Sequence, residues 1–544
     1  MGERQALGVQ DALWLEMDRP NNLMVVDSVA WTAEPLDWDA LKAVIVERIV
    51  ARYPVFQSKA VRDDDGSWWW EFDDGFDPDA HVTRVTLDDP EDPRALQALV
   101  ASHRTEMLDR DRPLWHVLWV ERYRGGSALV LRTHHAIADG MRMVQLSMSM
   151  FDASRDGGPV EAPAVTQHAA HPVEPGRPLD ERVRAAVASA TRQLADATQD
   201  LSSRATDAMA DPVGRATDSM AALREAAGDL LRRAPELLGD AAELARGALQ
   251  NPVGAAHTLI TAAWAGAGEL REAVESSVRH ALPGGGPVVD AFSAAPGDVD
   301  TVRKLLLGTR NDTTIWTGTA GEDKGVAWSE PLPLGAVKAV ARANQCTVND
   351  VLVTCVAGAL HDYLADHHAR CASVTFMVPV NLKPIDLALP ETLGNSFALV
   401  QLELPTDQPD LLKVLDTAKR RMSRIKHGHE AAVAFRLQET IAGLNRGLYE
   451  ASVDLFTNRT LGTLTNVPGP PIPVYLAGKR VEGMVGWAPV SGNQPMSFTI
   501  YSYDRKVIVG IACDRDLVPD HESIPEHFAR AFHRLEEATA AHAG

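Results

Sequence analysis

Cysteine is scarce: Cys346, Cys355, Cys371 and Cys513 are the whole supply in 544 residues. Four thiols without metal-type spacing make neither a zinc site nor a disulfide framework for a chain this long, so a reducing, cytosolic setting is expected. Positive charge is short as well. Lys and Arg total 53 against 74 Asp and Glu, a formal net charge of −21. Nucleic acid and anionic bilayers repel so acidic a molecule as a whole. No stretch approaches the roughly 18 consecutive apolar residues of a membrane-crossing helix. The opening Met1-Gly2-Glu3-Arg4-Gln5 has no apolar signal-peptide core. G-x-S-x-G and H-E-x-x-H are both missing, which argues against a serine acyl-enzyme and against a zincin-type metal site.

What is there suits folded cores. Apolar residues make up 45% of a chain too long for one hydrophobic core, so about three units are expected. Residues 1–157 alternate short strand patterns with helices and form an α/β unit. Between about Gly158 and Pro175 the chain turns to Pro, Ala, Glu and His without period, as a linker does. From Leu179 to Leu282 it is rich in Ala, Arg, Glu, Asp and Leu with no lysine, a helical block in which Leu223, Leu230, Leu237 and Leu244 recur every seventh residue. Leu259, Ala263, Leu270, Val274 and Val278, beside Trp264, continue an apolar stripe that suits either the protein body or a lipid surface. After Pro283-Gly284-Gly285-Gly286-Pro287, residues 288–544 form a second α/β unit. Its clearest helix is Thr347 to Leu364, opened by a capping-box-like Thr347 and Asp350. Val374–Val378 and Leu399–Leu404 read as strands, and Phe498–Tyr503 with Val507–Cys513 as a hairpin turning at Asp504-Arg505.

The chemistry concentrates at one strand exit. Pro113 to Val120 and Ser127 to Thr133 are apolar runs about the Gly125-Gly126 turn, a candidate hairpin that ends in His134-His135-Ala136-Ile137-Ala138-Asp139-Gly140. Successive strand side chains point to opposite faces, so one histidine is expected to serve as base and the other as buried support. The same alternation makes the pair poor joint metal ligands, and two ordinary histidines ending a strand are the plain alternative. Asp139 is expected to tie the loop and Gly140 to supply a left-handed turn before a helix over Met141–Met150.

With this H-H-x-x-x-D-G segment the chain resembles the bacterial wax ester synthase/diacylglycerol acyltransferase family, within the CoA-dependent acyltransferase superfamily. Asp11 to Pro20 (DALWLEMDRP) looks like that family's opening, Pro113-Leu114-Trp115 its PLW element, Asn349-Asp350 its ND element and Asn466-Val467-Pro468-Gly469-Pro470 its NVPGP segment. The resemblance implies two chloramphenicol-acetyltransferase-like α/β lobes, joined here by the helical linker, with a tunnel between them. It implies acyl-CoA as co-substrate, no bound cofactor, and a long-chain alcohol or a diacylglycerol as acceptor, with peripheral contact at a membrane or lipid inclusions as a further expectation.

It also places the base at the second histidine, His135, with His134, Asp139 and Gly140 completing the motif. An imidazole of pKa about 6.5 is matched to removing an alcohol proton near neutrality. Asn349, near a helix N-terminus, is a candidate for facing the thioester or CoA, against a role in capping. Asn466 is a candidate tunnel-lining residue in a stiff Pro-Gly-Pro turn, and Trp115 a substrate contact, against a place in the core. A condensation-type acyltransferase acting on carrier-bound thioesters and a non-catalytic lipid-binding protein remain as alternatives.

Overall fold

The computed structural model describes residues 4–160, 313–381, 397–427 and 460–543, with 389, 393 and 395. All of these fall in one compact unit. The helical block and linker expected over 158–287 lie outside the described residues from 161 onward. In the N-terminal half the elements run β1 (Arg4–Ala6), α1 (Val9–Met17), β2 (Val25–Thr32), α2 (Trp38–Ile45), β3 (Ser58–Arg62), β4 (Trp68–Phe72), β5 (Val82–Val85), α3 (Pro93–His103), β6 (Trp115–Tyr123), β7 (Gly126–His134) and α4 (Gly140–Ser149). The described C-terminal elements are β8 (Lys324–Trp328), β9 (Leu332–Pro333), α5 (Leu334–Ala343), α6 (Val348–Asp366), β10 (Ser373–Asn381), β11 (Phe397–Pro405), α7 (Leu411–His427), β12 (Gly462–Pro468), β13 (Tyr475–Leu476), β14 (Lys479–Trp487), β15 (Met496–Tyr503), β16 (Lys506–Asp514) and α8 (Ser523–Ala543). Among the described residues no helix is long and apolar enough to cross a membrane.

The expected hairpin forms. Trp115, Val117 and Trp119 of β6 enter one core while Leu118 and Val120 enter another, so the strand is apolar on both faces and reads as a continuous run. The turn itself sits one residue earlier than expected. Arg124 and Gly125 carry φ of 48° and 81°, the two left-handed residues of a primed two-residue turn whose twist suits a hairpin. Gly126 instead begins β7. A Cβ there would stand 1.7 Å from the Thr32 carbonyl oxygen, so the edge of β2 leaves room only for hydrogen.

The N-terminal sheet has the order β13-β14-β2-β7-β6-β5. Its strands β13 and β14 come from the C-terminal half, with β14 antiparallel to β2. The C-terminal sheet runs β11-β10-β12-β15-β16-β8, with β9 also on β16. One face of the N-terminal sheet, through Val29, Leu118, Val120 and Val130, shares a core with Ile508 and Ala512 of β16, Val326 of β8 and Leu96 of α3. The two halves of the chain are thus interleaved by a shared sheet and a shared core. In the second half, α6 starts as expected: the Thr347 hydroxyl accepts the Asp350 N–H at 3.2 Å and the Asp350 carboxylate accepts the Thr347 N–H at 2.8 Å.

Between β2 and β7 one buried carboxylate holds two buried guanidiniums. Asp27 lies opposite Arg132 in the strand register, two residues before the histidine pair. Arg132 Nε donates to it at 3.2 Å and Arg104 binds its second oxygen. Arg132 also donates to the Glu106 carbonyl at 2.7 Å. Removing one member of such a group strands a charge in low dielectric, whereas the intact group is close to neutral in its net effect on stability. Asp27→Ala is therefore expected to destabilise the fold by about 3–5 kcal/mol, seen as a large fall in melting temperature. A melting temperature within a degree of wild type would contradict this.

Candidate active site

The strand exit of β7 carries the motif, and backbone pairing holds it on both sides. The His134 N–H donates to the Leu114 carbonyl at 3.0 Å and the His135 N–H to the Met24 carbonyl at 2.8 Å. The two rings then take different partners. His134 is completely buried. Its Nδ1 accepts the Ala136 N–H at 3.1 Å, which leaves its single proton on Nε2, 3.5 Å from Asp18 Oδ2. Asp18 in turn accepts the Met24 N–H at 2.8 Å and the Arg110 guanidinium at 2.8 Å. Burial alone would raise this carboxyl, but His134, the Met24 N–H and Arg110 outweigh it and hold it below its ordinary range. Burial pushes the His134 ring down, against the pull of Asp18.

His135 is 5% exposed. Burial pushes its ring down to about 4, against the opposing influence of its own backbone and of Asn395. The ring lies stacked on Trp14 of α1, centroids 4.1 Å apart and planes at 26°. From the C-terminal half, Asn395 Nδ2 donates to the His135 carbonyl at 3.0 Å and to Asp11 Oδ1 at 2.7 Å, and the Asn395 N–H donates to the same oxygen at 3.1 Å. Burial raises the Asp11 carboxyl, Asn395 pulls it back, and nearby Asp139 adds to the rise.

Asp139 ties the loop as expected. It is the N-cap of α4, its carboxylate accepting the Arg142 N–H at 2.9 Å with the Arg142 side chain 3.8 Å away. Gly140 departs from expectation. It is the first residue of α4 with no positive φ, so the turn needs no left-handed residue there. A Cβ at Gly140 would meet nothing within 4 Å, and the glycine leaves open space beside the motif.

Asn349 and Asn466 come together: Asn466 Nδ2 on β12 donates to Asn349 Oδ1 in the first turn of α6 at 3.0 Å. Thr347 and Asp350 cap that helix, so Asn349 is not its cap. Asn466 lies within a strand and not in the expected turn, and its neighbour Val467 packs in the same core as Ala136, Ile137 and Ala138. Trp115 is a core residue. It is 2% exposed, its indole N–H donates to the Phe56 carbonyl at 2.8 Å and its ring stacks on His81. Sequence reasoning missed Asp11, Trp14, Asp18 and Asn395. The first three stand at spacings of three and four along one helix and its cap, a signal that was present; Asn395 carries no local signal.

The family model described as the wax ester synthase/diacylglycerol acyltransferase catalytic domain matches residues 7–267, and that for the WS/DGAT C-terminal domain matches residues 393–536. A Mycobacterium tuberculosis protein named as a diacylglycerol O-acyltransferase is 27% identical over 518 residues, covering 91% of this chain and 89% of its own. Another from the same species, also so named, is 25% identical over 86% of this chain and 84% of its own. Among solved structures, the wax ester synthase/diacylglycerol acyltransferase of Marinobacter aquaeolei superposes with a TM-score of 0.57 at 16% identity, covering 98% of this chain and all of that one. The first condensation domain of the calcium-dependent antibiotic synthetase superposes at 0.51 and 15%, covering 99% of this chain and 96% of that one. These two share the α/β fold. The chain is an acyltransferase and belongs to the wax ester synthase/diacylglycerol acyltransferase family.

Proposed function

We propose that the protein transfers an acyl group from acyl-CoA to the hydroxyl of a long-chain alcohol or a diacylglycerol, with His135 as general base. The carrying observation is the state of His135: an imidazole buried at the motif, braced by Trp14, with its carbonyl held by Asn395. Burial keeps this ring neutral at pH 7, the form that accepts a proton. The acceptor hydroxyl gives its proton to the imidazole as its oxygen bonds to the thioester carbonyl carbon. Collapse of the tetrahedral intermediate breaks the carbon–sulfur bond, and the departing thiolate, of a class with pKa about 8.5, takes the proton back from the imidazolium. No protein nucleophile is required. His134 with Asp18 fixes the loop, and Asp139 fixes the start of α4. Asn349 and Asn466, paired at the positive end of a 19-residue helix, are suited to the thioester or the CoA moiety. The names of the mycobacterial and Marinobacter relatives support the two acceptor classes, and the tunnel that the family resemblance implies would admit both chains.

His135→Ala is expected to lower turnover by about 10²- to 10⁴-fold while the melting temperature holds. His134→Ala should lose activity together with thermal stability, because it empties a fully buried site against Asp18. Near-normal turnover in the His135 variant would reject the assignment. The pH profile follows from the same burial. A folded-state pKa held near 4 keeps the base neutral until well below the ordinary histidine value, so the acid limb of kcat/KM should fall below pH 6. A limb centred at or above the ordinary value of about 6.5 would contradict it.

Direct transfer also predicts that labelled acyl-CoA without an alcohol leaves the denatured protein unlabelled. Stoichiometric covalent label would establish an acyl-enzyme instead. One acyl-CoA offered in parallel to hexadecanol and to a diacylglycerol, with products resolved by thin-layer chromatography, ranks the acceptors.

A further inference from the structure

The opening segment Asp11 to Pro20 finds its use at the motif. Three of its side chains meet it: Asp11 through Asn395 to the His135 carbonyl, Trp14 on the His135 ring and Asp18 on the His134 ring. On a helix of 3.6 residues per turn, positions 11, 14 and 18 share one face, so a single short helix with its C-cap addresses both histidines. Asp11 and Asp18 act through hydrogen bonds on backbone and on the supporting ring. Trp14 is different in kind, because it touches the group that carries charge during the reaction.

We infer that Trp14 is a positioning residue for His135 whose indole face also stabilises the imidazolium formed when the acceptor hydroxyl is deprotonated. The inference rests on His135 being the base. An indole presents the most electron-rich face among the side chains, and a cation held against it inside a protein is stabilised more than one in water. A centroid separation of 4.1 Å with planes at 26° stacks the imidazole against that face, within the range in which a cation interacts with it. In the ground state the imidazole is neutral and gains only stacking. In the transition state it carries positive charge and gains the quadrupole attraction too, so the contact is worth more where it accelerates the reaction. The titratable group that bears on the ring is His134, the last residue of β7; Asp11 stands behind Asn395 with Asp139 bearing on it, and Asp18 and Arg110 bear on His134. Trp14 is partly buried against the core that includes Ala136 and Ile137, which fixes the indole without sealing it from the reactants.

The test replaces Trp14 alone with mono-, di- and tetrafluorinated tryptophan, which drain the ring face of electron density while keeping its shape. Turnover should fall stepwise with fluorine number, by about tenfold across the series, with KM for acyl-CoA and acceptor unchanged. Trp14→Phe should keep a large part of the activity and Trp14→Leu should lose more than the tetrafluoro protein, at melting temperatures within a few degrees of wild type. A flat fluorine series, or Leu performing as well as Phe, would overturn the role in charge stabilisation. His135→Ala run alongside separates this outcome from failure of the base assignment: if that variant remains active, the base is elsewhere and the fluorine series should be flat for that reason.

Discussion

The site depends on how adjacent side chains leave a strand. His134 and His135 are neighbours in sequence, yet one ring is sealed against Asp18 and the other rests on Trp14, so a single strand exit places the two rings in different surroundings. The His134 ring is held at Nδ1 by the Ala136 N–H, with Nε2 3.5 Å from an Asp18 carboxylate that is itself bound by Met24 and Arg110. Since the His134 and His135 backbone groups pair with Leu114 and Met24 respectively, a shift of either flanking strand would move both rings. The buried Asp27 group sits two residues upstream in the same strand and holds β2 to β7 there.

The second half of the chain completes this arrangement. Strand β14 adds to the sheet from which the motif emerges, and Asn395 reaches the His135 carbonyl. The Asn349–Asn466 contact, by contrast, is built wholly within that half from two segments far apart in sequence. Acyl transfer needs a base for one substrate and a polar environment for the charge that develops on the other, and the proposed mechanism draws the first from the N-terminal half and the second from the C-terminal half.

What was legible in the sequence is what is local. The two hairpins, the capping box and the helix after Asp139 depend on residues within a few positions of each other, and all form near their expected places. The family elements identified the strand exit at once. Illegible were the contacts made at long range. Nothing in the periodicity of Lys479–Trp487 says that it pairs with Val25–Thr32, and nothing near Asn395 marks it as a partner of Asp11. Trp115 turned on a hydrogen bond to the Phe56 carbonyl, which a PLW pattern does not encode. Gly140 was misjudged because a glycine letter suggests a left-handed turn, whereas here neither a positive φ nor a close neighbour requires glycine.

The central claim is that His135 receives the proton of the acceptor hydroxyl. A crystal structure with a non-hydrolysable acyl-CoA analogue and a long-chain alcohol bound together tests it most directly. The alcohol oxygen should lie about 2.6–3.2 Å from a His135 ring nitrogen, on a line towards the acyl carbonyl carbon. An alcohol bound with its hydroxyl on another side chain, and His135 touching neither substrate, would contradict it.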